Sequence, residues 1–239
     1  MKSVLDAEQL IQLQIELEYG LDTEGKLVPV PGSTERARFI AYRHAGGERL
    51  FFGHDLPAAD VRRISSLPPE APFEDEEAVR SVLAAHRPVS AVFHGESCAF
   101  EALPSPKAGP ATRLDSSHLP FFEASDIAPL TLNGYFIRLC IPGRAPPPDR
   151  PVFGVIEGGK VVSLCESARE NALAAECWVR TLPRYARRGF ATAAVRGWAA
   201  AVMAAGKTPF YSYAAGNPAS KALARHLGLE PFAQVAGYD

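Results

Sequence analysis

The sequence lacks a long apolar run, and this absence argues against a helix that spans a membrane. None of its apolar stretches approaches the roughly 20 residues that a membrane-spanning helix needs. The N-terminal segment MKSVLDAEQLIQLQIELEYG carries acidic side chains among its apolar ones, a pattern unlike that of a secretory signal. We therefore expect a cytoplasmic protein that has no membrane partner.

Cysteine and histidine are scarce, and neither is arranged for a metal site. The four cysteines lie far apart without a CxxC pair, and the six histidines show no spacing typical of metal ligands. The phosphate-loop pattern GxxxxGK[ST], a GxGxxG turn that opens a βαβ unit and the hydrolase pattern GxSxG are also missing. We expect no bound metal and buried thiols at Cys98, Cys140, Cys165 and Cys177.

The charge of the chain is nearly balanced, with no excess of basic residues. Lysine and arginine number 25 and aspartate and glutamate 27, which gives a formal net charge of -2, and 47% of the residues are hydrophobic. This composition is typical of an ordinary globular protein and argues against a nucleic-acid partner.

The N-terminal part predicts a small α/β arrangement. Apolar residues from Leu10 to Leu17 predict a helix, and Gly46-Gly47 joins the strand-like segments RFIAYRH and RLFFGHD into a hairpin. The segment DEEAVRSVLAAH predicts a helix with acids at its N-terminus, where they complement the helix dipole. PVSAVFHGESCAFEAL predicts two short strands around His94-Gly95.

Two proline-rich segments interrupt the chain. LPSPKAGPATR contains three prolines and a glycine, which exclude it from the interior of a helix or central strand. We place a domain boundary there, with an N-terminal domain of residues 1–106 and a C-terminal domain of residues 107–239. IPGRAPPPDRP contains five prolines and predicts an exposed extended loop.

The C-terminal part predicts the element order strand, strand, strand, helix, strand, helix, strand. Gly158-Gly159 turns a hairpin, and NALAAECWVRT adds a third strand to an antiparallel meander. A helix from about Arg188 ends at Gly206, and a second helix begins at the N-cap Asn217. The predicted fold class is therefore α/β (α+β), with a mixed, largely antiparallel sheet flanked by helices and a second, smaller N-terminal α/β domain.

An arginine-rich turn precedes the first of these two helices, in the segment RYARRGFATAAV. A strand that runs straight into a helix leaves the first helical N–H groups without partners at the positive end of the dipole. Gly189 and Ala191 keep side-chain bulk away from these groups, while Arg184, Arg187 and Arg188 offer charge-assisted donors. The turn is suited to an anion with two phosphates, although the same string also fits a solvated basic helix start.

Two motifs resemble those of the GNAT superfamily of N-acyltransferases. The segment ARRGFA is similar to the family's phosphate loop, [RQ]xxGx[GA], and NPASKALARHLGL is similar to its second signature, NxxAxxLYxxxGF. The resemblance covers roughly residues 107–239 and looks especially like a poorly characterised bacterial branch. It implies a GNAT-like fold and acetyl-coenzyme A as co-substrate, with a small-molecule or peptide amine as acceptor.

The resemblance also implies which residues hold the coenzyme. The backbone of Val179 and Thr181 would meet the pantetheine, the turn from Arg187 to Thr192 would wrap the pyrophosphate, and Arg184 would add charge. The full implied set is Val179, Thr181, Arg184, Arg187, Arg188, Gly189, Phe190, Ala191, Thr192, Asn217 and Ser220. We expect Asn217 to act mainly as the N-cap of the second helix, and the same residue can also contact the coenzyme.

Catalysis requires an acceptor for the proton of the amine. Glu176 is a lone carboxylate in the strand segment ALAAECWV and is our candidate base, although an exposed Glu176 without a catalytic role fits the pattern equally well. Tyr213 and Ser220 are the candidate acids, alongside Tyr211.

The sequence departs from the family pattern at two positions. Ala186 replaces the first Arg or Gln of the loop, and Ala224 replaces the tyrosine that often protonates the leaving thiolate. Three functions therefore stay open: an N-acetyltransferase, a non-catalytic coenzyme-binding or regulatory module, and, least favoured, a nucleic-acid contact through the arginines. Neither the acceptor nor the oligomeric state can be read from the sequence.

Overall fold

The computed structural model of the protein describes residues 5–30, 37–102, 109–123, 125, 127 and 150–239. Most of both proline-rich segments and Cys140 lie outside these ranges. The predicted boundary after residue 106 also lies outside them and stays a prediction.

The described ranges contain eleven strands and seven α-helices. The strands are β1 (Gly20–Leu21), β2 (Leu27–Val28), β3 (Phe39–His44), β4 (Gly47–Phe52), β5 (Val92–Ala99), β6 (Ala111–Arg113), β7 (Phe153–Glu157), β8 (Lys160–Glu170), β9 (Ala174–Thr181), β10 (Thr208–Ala214) and β11 (Pro231–Tyr238). The helices are α1 (Ala7–Glu18), α2 (Ala58–Ser65), α3 (Ala71–Glu74), α4 (Glu76–Leu83), α5 (Leu119–Glu123), α6 (Phe190–Ala204) and α7 (Pro218–Leu227).

The chain divides into two compact units that do not follow the order of the sequence. The first unit comprises Met1–Cys98, Ser212–Lys221 and Pro231–Asp239, and the second comprises Ala99–Tyr211 and Ala222–Glu230. The last strand of the chain therefore belongs to the same unit as the N-terminal strands.

The first unit is built around a sheet with the order β4-β3-β11-β5-β10. Strand β11 pairs antiparallel with β3 on one side and with β5 on the other, so that Val235 faces both Tyr42 and Gly95. Two apolar clusters form its core. One joins α1 to the sheet through Ile11, Ile15, Tyr42 and Phe51, and the other joins α2 and α4 through Ile64, Val79, Leu83, Phe39 and Tyr238.

Most of the predicted N-terminal elements are confirmed. Helix α1 begins with a capping box in which Asp6 and Gln9 exchange hydrogen bonds of 2.9 and 3.0 Å. The β3–β4 hairpin is confirmed, but its turn is Ala45-Gly46 and not Gly46-Gly47, because Gly47 already pairs with His44. Asp75 caps helix α4 by accepting from the Ala78 N–H. Helices α2 and α3 were not predicted. Proline is common at the start of a helix, and Pro57 and Pro72 lie at the starts of these two helices, but the sequence prediction did not treat them as helix starts.

The prediction of two short strands around His94-Gly95 is wrong, because β5 runs unbroken from Val92 to Ala99. Gly95 sits within the strand, not in a turn. A Cβ at this position would lie 2.6 Å from the Tyr213 carbonyl oxygen and 2.6 Å from the Phe93 ring. The glycine is therefore required for a close approach to β10, which a sequence pattern does not distinguish from a turn.

The second unit contains the predicted antiparallel meander, in the strand order β10-β9-β8-β7-β6. Gly158 and Gly159 turn the β7–β8 hairpin with φ angles of 58° and 74°. Helix α6 packs on the meander, where the fully buried Trp198 donates from its indole nitrogen to Ser167 Oγ at 3.0 Å. The predicted C-terminal element order and the largely antiparallel, helix-flanked fold class are confirmed.

We predict that Gly95→Ala destabilises the protein by about 1–3 kcal/mol, because the new methyl group overlaps main-chain atoms of β10. Chemical denaturation measures this loss. Gly216→Ala is the matched control, since a Cβ there meets nothing within 4 Å, and it should change the unfolding free energy by less than about 0.5 kcal/mol. Equal stability of the two variants would contradict the steric role of Gly95.

Candidate active site

Strand β9 stops pairing with its neighbour β10 well before β9 itself ends. The two strands pair in parallel over only three residue pairs, from Ala174↔Thr208 to Glu176↔Phe210. Strand β9 nevertheless continues to Thr181, with β8 paired along its other side. The β10-facing side of Cys177–Thr181 therefore has no pairing strand in the described part of the second unit.

The backbone groups that face this open side are those of alternate residues. The Leu182 N–H donates to the Val162 carbonyl oxygen at 3.0 Å, so the Leu182 backbone faces β8. Because backbone direction alternates along a strand, the N–H and C=O groups of Val179 and Thr181 face away from β8. These are the two residues that the family resemblance associates with the pantetheine.

A tight turn follows the end of β9. Pro183–Tyr185 forms one 3-10 turn, and two residues just after it adopt the left-handed backbone region: Arg187 with φ 60° and Gly189 with φ 78°. Turns that use left-handed residues can direct neighbouring N–H groups toward one point, which makes a concave anion site. For Arg187, this conformation is uncommon, and such residues are frequent at functional sites.

Helix α6 starts on this turn without a side-chain cap. Gly189 is the N-cap residue, and its carbonyl accepts the first helical bond from Ala193 at 3.0 Å. A Cβ at Gly189 would meet nothing within 4 Å. The first N–H groups, those of Phe190, Ala191 and Thr192, thus face an approachable space at the positive end of the helix dipole.

Two of the three arginines of the turn lie over aromatic rings. The guanidinium of Arg188 lies 4.7 Å from the Phe190 ring centroid and 5.5 Å from that of Tyr185, and Arg184 lies 5.1 Å from the Tyr185 ring. Arg188 also donates from Nη2 to Glu157 Oε1 at 2.6 Å. This ion pair is exposed on both sides, and exposed pairs contribute little, so an incoming phosphate can exchange with the carboxylate.

Glu176 is buried, so the alternative of an exposed glutamate is wrong. Its side chain is 7% exposed, and its Oε2 accepts from Arg169 Nη1 at 2.6 Å. An irregularity in the β8–β9 pairing between Ser167 and Arg169 sets Arg169 opposite Glu176. The candidate base therefore lies at the last residue pair before β9 and β10 separate, with its charge compensated by one arginine.

Three further predicted residues, Tyr213, Asn217 and Ser220, belong to the first unit. Asn217 Oδ1 accepts from the Ser220 N–H at 3.0 Å, which confirms the predicted N-cap of α7. The Tyr213 hydroxyl donates to one oxygen of Glu96, and Lys221 Nζ donates to the other at 2.8 Å. Sequence reasoning missed Glu96 because it follows His94-Gly95, which was interpreted as a turn.

Ala224 occupies the position where the family pattern has a tyrosine. It is 1% exposed, and its carbonyl oxygen accepts from the Leu229 N–H at 3.0 Å beyond the end of α7. This side chain packs in the interior of the second unit and has no group that transfers a proton.

Two of the three described thiols are buried as predicted, and Cys177 is not. Cys98 and Cys165 are buried and Cys177 is half-buried. Burial, together with the neighbouring Cys177, raises the pKa of the Cys165 thiol well above its usual range, so it stays protonated. Among the described residues, no cluster of three or more His, Cys, Asp or Glu is arranged to hold a metal, and no helix is long and apolar enough to cross a membrane.

Comparison with known proteins finds one family model and several solved structures. The model of the GNAT acetyltransferase family matches residues 153–238. No curated protein matches the sequence. Solved structures do, and a GNAT-family acetyltransferase from Colwellia psychrerythraea is 13% identical over 99% of this chain and 98% of its own, with a TM-score of 0.50.

Two other solved structures are similar at lower TM-scores. A GCN5-related N-acetyltransferase-like protein from Streptococcus suis 89/1591 is 16% identical over 87% of this chain and 86% of its own, with a TM-score of 0.48. A protein described as a GNAT-family acetyltransferase, from Novosphingobium aromaticivorans DSM 12444, is 21% identical with a TM-score of 0.47. The match covers 63% of this chain and 65% of the Novosphingobium chain.

We predict that Arg169→Ala destabilises the protein by about 1–3 kcal/mol, because it leaves the buried Glu176 carboxylate without its charged partner. Thermal or chemical unfolding measures the loss. The double variant Arg169→Ala/Glu176→Gln should recover part of it, since the uncompensated charge is then gone. With the single variant Glu176→Gln measured alongside, a loss in the double variant equal to the sum of the two single losses would show that the pair carries no coupling.

Proposed function

We propose that this protein transfers an acetyl group from acetyl-coenzyme A to a primary amine, because residues 153–238 match the model of the GNAT acetyltransferase family. The observation that carries the proposal is the turn at Arg187–Gly189, with two left-handed residues directly before the uncapped start of α6. Its open space and its arginines suit the two phosphates of a coenzyme A pyrophosphate.

The proposed binding mode uses the turn and the open side of β9 together. The N–H groups of Phe190, Ala191 and Thr192 donate to the pyrophosphate, with charge from the three arginines of the turn, Arg184, Arg187 and Arg188. The backbone of Val179 and Thr181 pairs with the amide groups of the pantetheine. Asn217 and Ser220 stay proposed contacts, although the Asn217 side chain already caps α7.

Glu176 is the proposed proton acceptor. An amine with a pKa of about 10 is protonated at neutral pH and must lose a proton before it attacks the thioester carbonyl. The bond from Arg169 uses Glu176 Oε2, so a proton that arrives on Oε1 does not have to break that bond. The thioester supplies an acyl group that is already activated, and the protein's part is to position it and to accept the proton.

Tyr213 and Ser220 stay the proposed donors to the leaving sulfur, in competition with water. The Tyr213 hydroxyl already directs its proton to Glu96, so it must change partner before it donates elsewhere. Water is therefore a sufficient donor in this scheme, and loss of the Tyr213 hydroxyl is expected to have a small effect.

We predict that Arg188→Gln weakens coenzyme A binding about tenfold or more, because charge-assisted hydrogen bonds are lost. Gly189→Val should weaken it at least as much, since a branched side chain is strained at φ 78° and fills the space in front of the N–H groups. Isothermal titration calorimetry with coenzyme A measures both losses.

Glu157→Gln is the matched control for Arg188→Gln. It removes the carboxylate that competes with phosphate for Arg188, so it should leave the affinity for coenzyme A unchanged or raise it. Wild-type affinity in both Arg188→Gln and Gly189→Val would refute the binding mode.

We predict that Glu176→Gln lowers turnover by roughly 10² to 10⁴ while coenzyme A affinity stays unchanged, the usual effect of losing a general base. The variant should recover part of its rate at high pH, where the amine is already neutral. Thiol release from acetyl-coenzyme A, screened over primary amines, provides the assay.

Tyr213→Phe is the companion variant, and its rate should stay within about tenfold of the wild type if water protonates the sulfur. A Glu176→Gln protein that turns over like the wild type would remove Glu176 from the mechanism. Coenzyme binding without turnover of any amine would contradict the proposed activity.

A further inference from the structure

A carboxylate, a primary amine and a phenol meet at the end of β10 in the first unit. The Tyr213 hydroxyl donates to Glu96 Oε2, and Lys221 Nζ donates to Glu96 Oε1 at 2.8 Å. The tyrosine lies on β10, the glutamate on β5 and the lysine in the first turn of α7. The two oxygens of one carboxyl group therefore hold the lysine and the tyrosine side by side.

The sheet fixes the carboxylate and the phenol. The Ala215 N–H donates to the His94 carbonyl oxygen at 2.8 Å, which joins β10 to β5 next to Tyr213 and Glu96. The Glu96 side chain is 18% exposed and Tyr213 is 6% exposed. Both groups are thus enclosed and held by main-chain contacts.

The lysine is anchored at its backbone but open at its amine. The Lys221 N–H donates to the Asn217 carbonyl oxygen at 3.1 Å, and Asn217 also caps the helix through the Ser220 N–H. The Lys221 side chain is 40% exposed. A reagent can therefore reach this amine while the amine keeps its carboxylate partner.

Acetyl transfer to an amine requires a nitrogen that can pass its proton to a nearby acceptor. Lys221 Nζ already shares a hydrogen bond with such an acceptor, the Glu96 carboxylate. In the proposed function, on which this inference rests, Ser220 contacts the coenzyme and is a candidate donor to its sulfur. Because Ser220 directly precedes Lys221, a coenzyme bound in this way brings its thioester to the helix start that carries the lysine.

Two other described lysines pair with a carboxylate but differ from Lys221 in one respect each. Lys207 donates to Glu170 at 2.7 Å, but its side chain is only 10% exposed. Lys26 pairs with Glu24 at 2.7 Å, and its side chain is 32% exposed, close to the value for Lys221. Lys26 lies in the loop between β1 and β2, to which no proposed coenzyme contact belongs.

We propose that Lys221 is an acetylation site of the protein itself, with bound acetyl-coenzyme A as the donor and Glu96 as the proton acceptor. Lys221 Nζ forms a bond to the acetyl carbonyl carbon, the carbon–sulfur bond breaks, and coenzyme A leaves as its thiolate. The ammonium group gives up two protons: one passes through Glu96 Oε1 to solvent, and the other ends on the thiolate. Each chain reacts once, because the product amide is no longer a nucleophilic amine.

Incubation of the full chain with acetyl-coenzyme A, without added amine, tests the proposal. Peptide mapping by mass spectrometry measures the acetylated fraction of each lysine over time. Lys221 should react at least about tenfold faster than Lys26, which reports the uncatalysed reaction of a similarly exposed, carboxylate-paired lysine in the same sample. This comparison needs no variant, so misfolding does not affect it.

Glu96→Gln should slow acetylation of Lys221 about tenfold or more, because the proton acceptor is lost, and should leave that of Lys26 unchanged. Gly189→Val, which weakens the proposed coenzyme site, should have the same selective effect. The rate constant should not depend on protein concentration, because each chain modifies itself, and a rate constant that rises with concentration contradicts the proposal.

Turnover of an added primary amine, measured in parallel, separates this inference from the proposed function. Lys221 that reacts no faster than Lys26 overturns the inference, and turnover of the added amine then shows that the proposed function stands. Wild-type acetylation of Lys221 in both Glu96→Gln and Gly189→Val also overturns it, since the coenzyme then reacts from solution. Selective acetylation of Lys221 without turnover of any added amine supports it and contradicts transfer to a separate acceptor.

Discussion

The early separation of β9 from β10 is the constraint on which the proposed coenzyme site depends. A central strand normally has both edges paired, and an open edge on a buried strand leaves N–H and C=O groups without partners. Here the pairing stops at Glu176↔Phe210, while β8 holds the other edge of β9 as far as Thr181. Strand β9 is therefore held in place by β8, while the backbone groups of its other edge are available for hydrogen bonds. An extended ligand with amide groups requires such an edge. The same strand then leads directly into the turn, so one segment positions both the backbone edge and the proposed anion site.

Two ion pairs border this segment, and their burial gives them different roles. The pair of Arg188 with Glu157 has side chains 46% and 39% exposed, so water screens it and either partner is readily exchanged. The pair of Arg169 with Glu176 includes a carboxylate that is only 7% exposed, and separating it costs far more. The exposed pair therefore suits a residue that takes up and releases a phosphate. The buried pair suits a residue whose position must not change between turnovers.

The predictable parts of the fold are those that local rules determine. Gly158 and Gly159 correctly predicted a turn, Gly206 correctly predicted a helix end, and all three have positive φ angles. Asn217 was correctly predicted as an N-cap, because the residue that it bonds, Ser220, is also close to it in sequence. The role of Gly95 could not be predicted, because the close contact that requires a glycine there is with Tyr213, which is distant in sequence. The pairing of Glu96 with Tyr213 and Lys221 was missed for the same reason, as was the pairing of β11 with β3. Motif spacing pointed to the turn before α6, where the structure has two left-handed residues, but long-range strand pairing cannot be read from one sequence.

The departure at Ala224 affects the less demanding of the two proton transfers. A thiol has a pKa of about 8.5 and an alkyl ammonium group about 10, so at neutral pH the amine needs help to lose its proton more than the thiolate needs help to gain one. A site with a positioned carboxylate and no acid is therefore chemically sufficient for transfer from a thioester to an amine. The reverse arrangement, an acid without a base, would leave the nucleophile protonated. The alanine at position 224 is thus compatible with the proposed transfer, because the proposed base Glu176 serves the more demanding of the two proton transfers.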